Sequence, residues 1–159
     1  MDNRVYVSAS HDPFYNLAVE EDLFYAQGAG ATLYLWQNQN TVVIGKNQNA
    51  LAECRVALLE SEGGRLARRS SGGGAVFHDL GNLNFTFLLP QQDYDLPRQL
   101  SVIQRACASF GIGAVLSGRN DVVLENTGAK FSGNAFRFSS GRALHHGTIL
   151  ISADLDKLS

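Results

Sequence analysis

Residues 68–79 read RRSSGGGAVFHD, and three consecutive glycines there rule out a regular element running through the stretch. A Gly inside a helix or strand is less favourable than Ala by roughly 0.5–1 kcal/mol, so the run marks a loop between two elements. Three successive residues without Cβ also let a ligand approach the main chain, where backbone N–H groups can converge on negative oxygens. Arg68 and Arg69 stand immediately before the run. One of them, on the inward face of an entering strand, can add a bidentate phosphate contact. The spacing matches neither a Walker A loop nor a dinucleotide fingerprint. Taken alone, the stretch reads more readily as a glycine-rich β-turn or bulge beside solvent-exposed arginines.

The elements around this loop alternate in type. RVYVSAS (4–10) alternates as a strand, and Asp12 then caps a helix that has Pro13 at its first position and runs to about Gln27. Phe14, Leu17, Ala18 and Phe24 form its predicted apolar face, with Glu20, Glu21 and Asp22 on the polar side. TLYLWQ (32–37) and TVVIG (41–45) are β-rich runs joined by NQN, a hairpin or tight connection. A helix from about Ala50 to Glu62 ends at Gly63 and Gly64. RLARRSS enters the glycine run, and AVFHDLGNLNFTFLL (75–89) reads as two strands around a turn at DLGN. A helical period through Leu100, Ile103, Ala106 or Cys107, and Phe110 stops at Gly111, and four strand-like runs follow: AVLSG, DVVLE, KFSGNAFRF and LHHGTILIS. The predicted class is α+β, a largely antiparallel mixed β-sheet flanked by helices.

With 159 residues, 45% of them hydrophobic and 18% charged, the chain suits a single ordinary core. No linker or repeat divides it. A net charge of −2 gives no global reason to expect nucleic acid or an anionic membrane surface as partner. No window approaches the length of a membrane span, and the N-terminus lacks an apolar signal core. Cys54 and Cys107 lack metal-ligand spacing and are too few for a disulfide framework, so the expected setting is reduced and cytoplasmic.

Three further stretches can carry chemistry. In KFSGNAFR (130–137), Lys130 precedes an SGN that again opens the backbone. Its ammonium can stabilise charge developing on a carboxylate and a phosphate, although a solvated strand lysine fits the same letters. His145 and His146 point to opposite faces of a regular strand, so at most one faces a pocket. GRND (118–121) offers Asp121 as a possible magnesium ligand beside phosphates, and equally an ordinary turn.

In combination these stretches resemble the lipoate-protein ligase family: RRSSGGGAVFHDLGNLNFTF, SGRND, KFSGNAFR and HHGTIL occur in that order, with NLAVEE (16–21) and TVVIGKNQN (41–49) nearer the N-terminus. The resemblance covers nearly the whole chain. It implies the catalytic-domain fold shared by biotin- and lipoate-protein ligases. It also implies ATP-dependent activation of lipoate to lipoyl-adenylate, with Mg2+ assisting, followed by transfer to one lysine of a carrier domain. The carriers implied are lipoyl domains of 2-oxoacid dehydrogenase acyltransferase subunits and the glycine cleavage H protein. Carried over by motif position, Arg69, Gly74, Ala75, Val76 and Phe77 bind the nucleotide portion, and Lys130 contacts both lipoate and the adenylate phosphate. Ser71, Gly73, His78, Ser132, Gly133, His146 and Thr148 follow as further lipoate-pocket positions.

In this family the chain continues well past the segment that ends here at SADLDKLS. The resemblance therefore implies that residues 1–159 are the N-terminal part of a catalytic domain, without an accessory domain. A complementing C-terminal subunit or self-association would then complete it. Three alternatives carry different signatures. An octanoyl or lipoyl transferase of the same fold needs a reactive cysteine near the lysine. A biotin-protein ligase fits SSGGGAVFHD and DLGNLNF less well. A non-catalytic or partner-dependent fragment would bind lipoate or lipoyl-adenylate without transferring it.

Overall fold

The structure is a computed structural model and describes residues 3–118 and 121–154. Its strands form two sheets. The larger is built from β1 (Arg4–Val7), β2 (Thr32–Trp36), β6 (Asn82–Pro90), β7 (Ala114–Ser117), β8 (Asp121–Leu124), β9 (Lys130–Ser139) and β10 (Arg142–Leu150), in the order β1-β2-β6-β10-β9-β8-β7. The smaller has the order β4-β3-β5, from β3 (Thr41–Ile44), β4 (Arg65–Arg68) and β5 (Val76–His78). Among the described residues, β1–β2 and β3–β4 pair in parallel and the other pairings are antiparallel. The helices are α1 (Pro13–Ala26), α2 (Ala50–Glu53), α3 (Val56–Ser61) and α4 (Leu96–Ser109).

The middle of the large sheet is covered on both faces. On one face α4 packs Leu100, Ile103 and Cys107 against Phe85, Phe87 and Leu89 of β6, together with Val122, Phe131 and Ala143. On the other, Phe24 of α1 meets Leu88 of β6 and Leu144 of β10. Strand β6 is therefore buried along nearly its whole length, as strands covered on both faces are. Each such buried Phe or Leu contributes about 1.5–3 kcal/mol, which fixes β6 and β10 as the rigid floor on which the remaining features rest.

Several local expectations are corrected. The helix expected over 50–62 is broken: α2 stops at Glu53, Cys54 is extended, and α3 restarts at Val56. Neither piece has a buried residue, so no packing holds one continuous helix together. NQN does not close a hairpin, because β2 and β3 belong to different sheets. Its Asn38 is fully buried and carries the chain across between them. The strands on either side of DLGN part in the same way, β5 to the small sheet and β6 to the large one.

The apolar face expected for α1 is also rotated. Asp12 caps the helix as expected, accepting from the N–H groups of Phe14 and Tyr15 at 2.9 and 3.0 Å. The buried positions, however, are Pro13, Asn16, Glu20 and Phe24, while Phe14 is 57% exposed. Asn16, Glu20 and Phe24 are spaced four apart and share one side of the helix. Polar groups occupy two of those three places because that side covers a polar network as well as the core. At the C-terminal end of α4, Phe110, expected in the core, is 83% exposed just beyond the helix.

Candidate active site

Strand β4 runs beside β3 and delivers the chain into the glycine loop, which returns as β5 on the other side of β3. Arg69 is committed to shaping that loop, and Arg68 to the neighbouring turn after β3. Arg68 Nη1 donates to the carbonyls of Gly45, Lys46 and Gln48 at 3.0, 3.1 and 2.8 Å. Arg69, almost fully buried, donates through Nη2 to the carbonyls of Gly72 and Gly74, both at 2.8 Å. Its Nη1 donates to the Val43 carbonyl at 3.1 Å and its Nε to Ser71 Oγ at 3.2 Å. Burial lowers the Arg69 pKa, a shift that the Glu20 carboxylate partly counters. The arginine expected to meet a phosphate is here engaged by the main-chain carbonyls of Val43, Gly72 and Gly74. A loop whose carbonyls are drawn onto a guanidinium holds its shape before any ligand arrives.

Glycine is required at two places in this arrangement. Gly73 has φ of 96°, in the region that side chains rarely adopt. A Cβ on Gly45 would run into the Gly73 carbonyl. The β3 end and the loop touch backbone to backbone as a result.

Loop, small sheet and large sheet together enclose a cleft of about 500 Å³. Arg69, Gly73, Gly74, Ala75, Val76, Phe77 and His78 line it from the loop and β5. Asp121, Lys130, Ser132, Gly133, His146 and Thr148 line it from the large sheet. Ser71 stands directly behind, its Oγ 2.6 Å from His146 Nε2. Lys130 Nζ lies 2.9 Å from Asp121 Oδ1 at one end, where both remain partly exposed. Arg119 and Asn120 of the GRND stretch lie outside the described residues. Of the two adjacent histidines, His146 lines the cleft. His145 faces α4, with Nδ1 2.6 Å from Gln99 Oε1, and burial pushes its pKa down to about 3.

Residues missed by the sequence reading complete the site. Glu20, 2% exposed, places Oε1 2.9 Å from His146 Nδ1 and accepts from Thr86 Oγ1 at 2.6 Å. Thr86 in turn accepts from Trp36 Nε1 at 3.1 Å. A chain of polar contacts therefore runs from Trp36 through Thr86, Glu20, His146 and Ser71 to Arg69 and the loop. Burial drives the Glu20 carboxyl upward, but His146, the Thr86 hydroxyl and Arg137 outweigh it and hold the pKa below the ordinary carboxylate value. Trp36, Asn82, Asn84 and Asn134 also line the cleft. Asparagines at alternate positions of the otherwise apolar NLNFTF, and Glu20 one turn after Asn16, were the available signals.

Cys54 and Cys107 are free, and neither lines the cleft. Burial raises both thiol pKa values, the opposite of what an acyl-accepting thiolate requires. Among the described residues no helix is long and apolar enough to cross a membrane.

In this α+β domain a glycine loop thus faces a lysine across one cleft. The family profile described as the lipoyl protein ligase A/B catalytic domain matches residues 12–159, and the chain belongs to that family. It is 47% identical to lipoate-protein ligase A of Blochmanniella pennsylvanica over 159 residues, covering 98% of this chain and 47% of that protein. The chain thus spans about half the length of the curated relatives it matches. P. falciparum LipL1 in complex with lipoate superposes with a TM-score of 0.91 at 35% identity, over 99% of this chain and 50% of that one. A lipoate-protein ligase A bound with ATP gives 0.88 at 27% identity, over 100% and 70%. A bi-partite lipoate protein ligase from Thermoplasma acidophilum, described with its E2 lipoyl domain, gives 0.87 at 30% identity, over 99% and 65%.

Proposed function

We propose that this chain takes part in the ATP-dependent activation of lipoate and the transfer of the lipoyl group to a lysine of a carrier domain. The observation that carries the reading is the cleft itself, in which an ammonium group and a preshaped glycine loop face one space of suitable size. Relatives named lipoate-protein ligase, and similar structures described with lipoate and with ATP, support it.

In this reading Lys130 aligns the lipoate carboxylate against the α-phosphate of ATP. The carboxylate oxygen attacks phosphorus, the bond to the leaving pyrophosphate breaks, and Lys130 offsets the charge that builds between them. The Gly73–Phe77 backbone receives the nucleotide portion, and Arg69 acts by holding that backbone in place. In the second step the carrier lysine amine attacks the mixed anhydride carbonyl, Lys130 stabilises the oxyanion, and AMP leaves. No acyl-enzyme forms, consistent with the placement of Cys54 and Cys107.

Magnesium is commonly held by one or two carboxylates together with substrate phosphates. Asp121, the carboxylate lining the cleft beside Lys130, fits that mode. When bound, the ion would neutralise phosphate charge. The proposed partners are lipoyl domains of acyltransferase subunits and the glycine cleavage H protein, in a cytoplasmic setting. The Thermoplasma relative's description with an E2 lipoyl domain supports that partner class. We further propose that residues 1–159 act as the N-terminal part of the catalytic domain, completed by further chain, a second subunit or self-association. The bi-partite description of the same relative supports a second subunit.

Pyrophosphate exchange that requires lipoate, ATP and magnesium together tests the activation step. Exchange that survives thiol alkylation is the expected result. A folded chain without exchange would move a partner-dependent binding role ahead of autonomous activation, and alkylation-sensitive exchange would favour a thioester route.

A further inference from the structure

At the Trp36 end of the cleft, two hydrogen-bond donors face inward without a protein acceptor. The first is His78, 3% exposed, its ring edge-on to Trp36 with centroids 6.1 Å apart. A relay of side chains fixes which of its nitrogens carries the proton. Asn16 Nδ2 donates to the main-chain carbonyls of Gln37 at 2.8 Å and Ser10 at 3.1 Å, which fixes the orientation of its amide and leaves Oδ1 to accept from Tyr34 Oη and Ser8 Oγ. Asn16 Nδ2 also donates to Asn38 Oδ1 at 3.0 Å, which turns Asn38 Nδ2 toward His78 Nδ1 at 3.2 Å. Nδ1 is then the acceptor and the proton resides on Nε2. Burial, helped by Arg69 and His146, pushes the His78 pKa down to about 3, so the ring is neutral near pH 7. Its Nε2–H has no protein partner. The second donor is Asn84, 2% exposed, whose Oδ1 accepts from Asn82 Nδ2 at 3.1 Å while its own Nδ2 has no protein partner.

These donors lie at the opposite end of the cleft from Lys130. Asn84 is paired with Trp36 on β2 and with Thr148 on β10. Thr148 Oγ1 accepts from the Gly133 N–H at 3.2 Å, and Gly133 is paired with Asp121 on β8. From Asn84 to Gly133, against which the Lys130 ammonium lies, is two inter-strand steps, about 10 Å along the sheet. An acid whose carboxylate is held at Lys130 would lay its chain along this row and bring its far end under His78 and Asn84.

We propose that His78 and Asn84 are specificity-determining residues that select an acyl tail bearing divalent sulfur, such as a dithiolane, over a saturated hydrocarbon tail of the same length. The inference rests on the acyl role proposed for the cleft. A methylene tail would seal both donors from water and give them nothing to bond, and leaving a buried donor unmatched is costly. Divalent sulfur is a weak acceptor and polarisable, so it meets the same donors and still packs against Trp36. A site built around hydrogen-bond donors rejects the analogue that lacks their partner more strongly than an apolar pocket rejects a change of size. The expected discrimination is on the order of tenfold or more.

The test is titration calorimetry of the 159-residue chain with three acids: lipoate, octanoate, and 6-thiaoctanoate, in which one sulfur replaces a methylene. Lipoate should bind tightest and octanoate weakest, with the thia-acid between. Asn84→Leu, and separately His78→Phe, should weaken lipoate and tighten octanoate, closing most of the gap. Equal affinities for the three acids on the wild-type chain would overturn the inference while leaving the acyl site intact. Because that comparison needs no variant, it decides the question even where a substitution prevents folding. Binding of none of them by the folded chain would overturn the acyl role of the cleft and this inference with it.

Discussion

Lys130→Ala is expected to lower lipoate-dependent pyrophosphate exchange by roughly 10²–10³-fold, the usual effect of removing one group that stabilises developing charge. The side chain is 55% exposed and pairs with Asp121 at the cleft edge, so its removal opens no core cavity. Thermal unfolding should therefore stay close to wild type, and the lost rate would report chemistry. Lys130→Arg is a useful companion, since a planar guanidinium does not reproduce a compact ammonium at a reacting centre. It should bind ligand better than Lys130→Ala yet restore little of the rate. Exchange at near wild-type rate in Lys130→Ala would remove Lys130 from the mechanism and leave the glycine loop without its counterpart.

Glu20→Gln is expected to produce the largest stability effect. Glu20 is buried, with Oε1 beside His146 Nδ1 and accepting from Thr86 Oγ1, and hydrogen bonds to a charged group contribute about 1.5–3 kcal/mol each. The groups facing it are His146 from β10, Thr86 from β6 and Arg137 from β9. Arg69 senses the same charge from the loop. The pH dependence follows from the sign of the shift. The folded pKa lies below the unfolded one, so the unfolded chain binds more protons as acid is added. The contribution is fully present above the ordinary carboxylate range and is lost as pH falls through the depressed value. Urea midpoints measured from pH 7 down to pH 3 should fall steeply in wild type and less steeply in Glu20→Gln. Identical slopes would mean that the Glu20 pKa is the same in the folded and the unfolded chain. Because Ser71 and Arg69 sit on the same network, the variant should also loosen the glycine loop and weaken ligand binding at neutral pH.

The candidate site was legible wherever its chemistry is written contiguously. RRSSGGGAVFHD and KFSGNAFR announce a loop and a lysine, and the structure brings Arg69, Gly73–Phe77, His78 and Lys130 to one cleft. The strands of the second half were legible for a different reason: short β-rich runs separated by NTG and SSG turns pair with their sequence neighbours as β8, β9 and β10. Local pattern failed where partners are distant. NQN and DLGN look like hairpin turns, and nothing local reveals that the strands on either side go to different sheets. On α1 the apolar residues suggested one buried face, while burial follows Asn16 and Glu20. A helix that covers a polar network hides that fact from hydrophobic periodicity, since its inward residues count as surface. Asn38 is the extreme case. It reads as a turn residue and is fully buried, fixing the orientation of His78 through a single amide.

Trp36 is the sole tryptophan of the chain and lines the cleft, which makes the central claim directly measurable. Titration of the folded 159-residue chain with lipoate, following tryptophan emission, should give a saturable change that free N-acetyltryptophanamide does not show. A change that rises linearly with concentration, like that of the free fluorophore, would contradict the assignment of this cleft as the lipoate site.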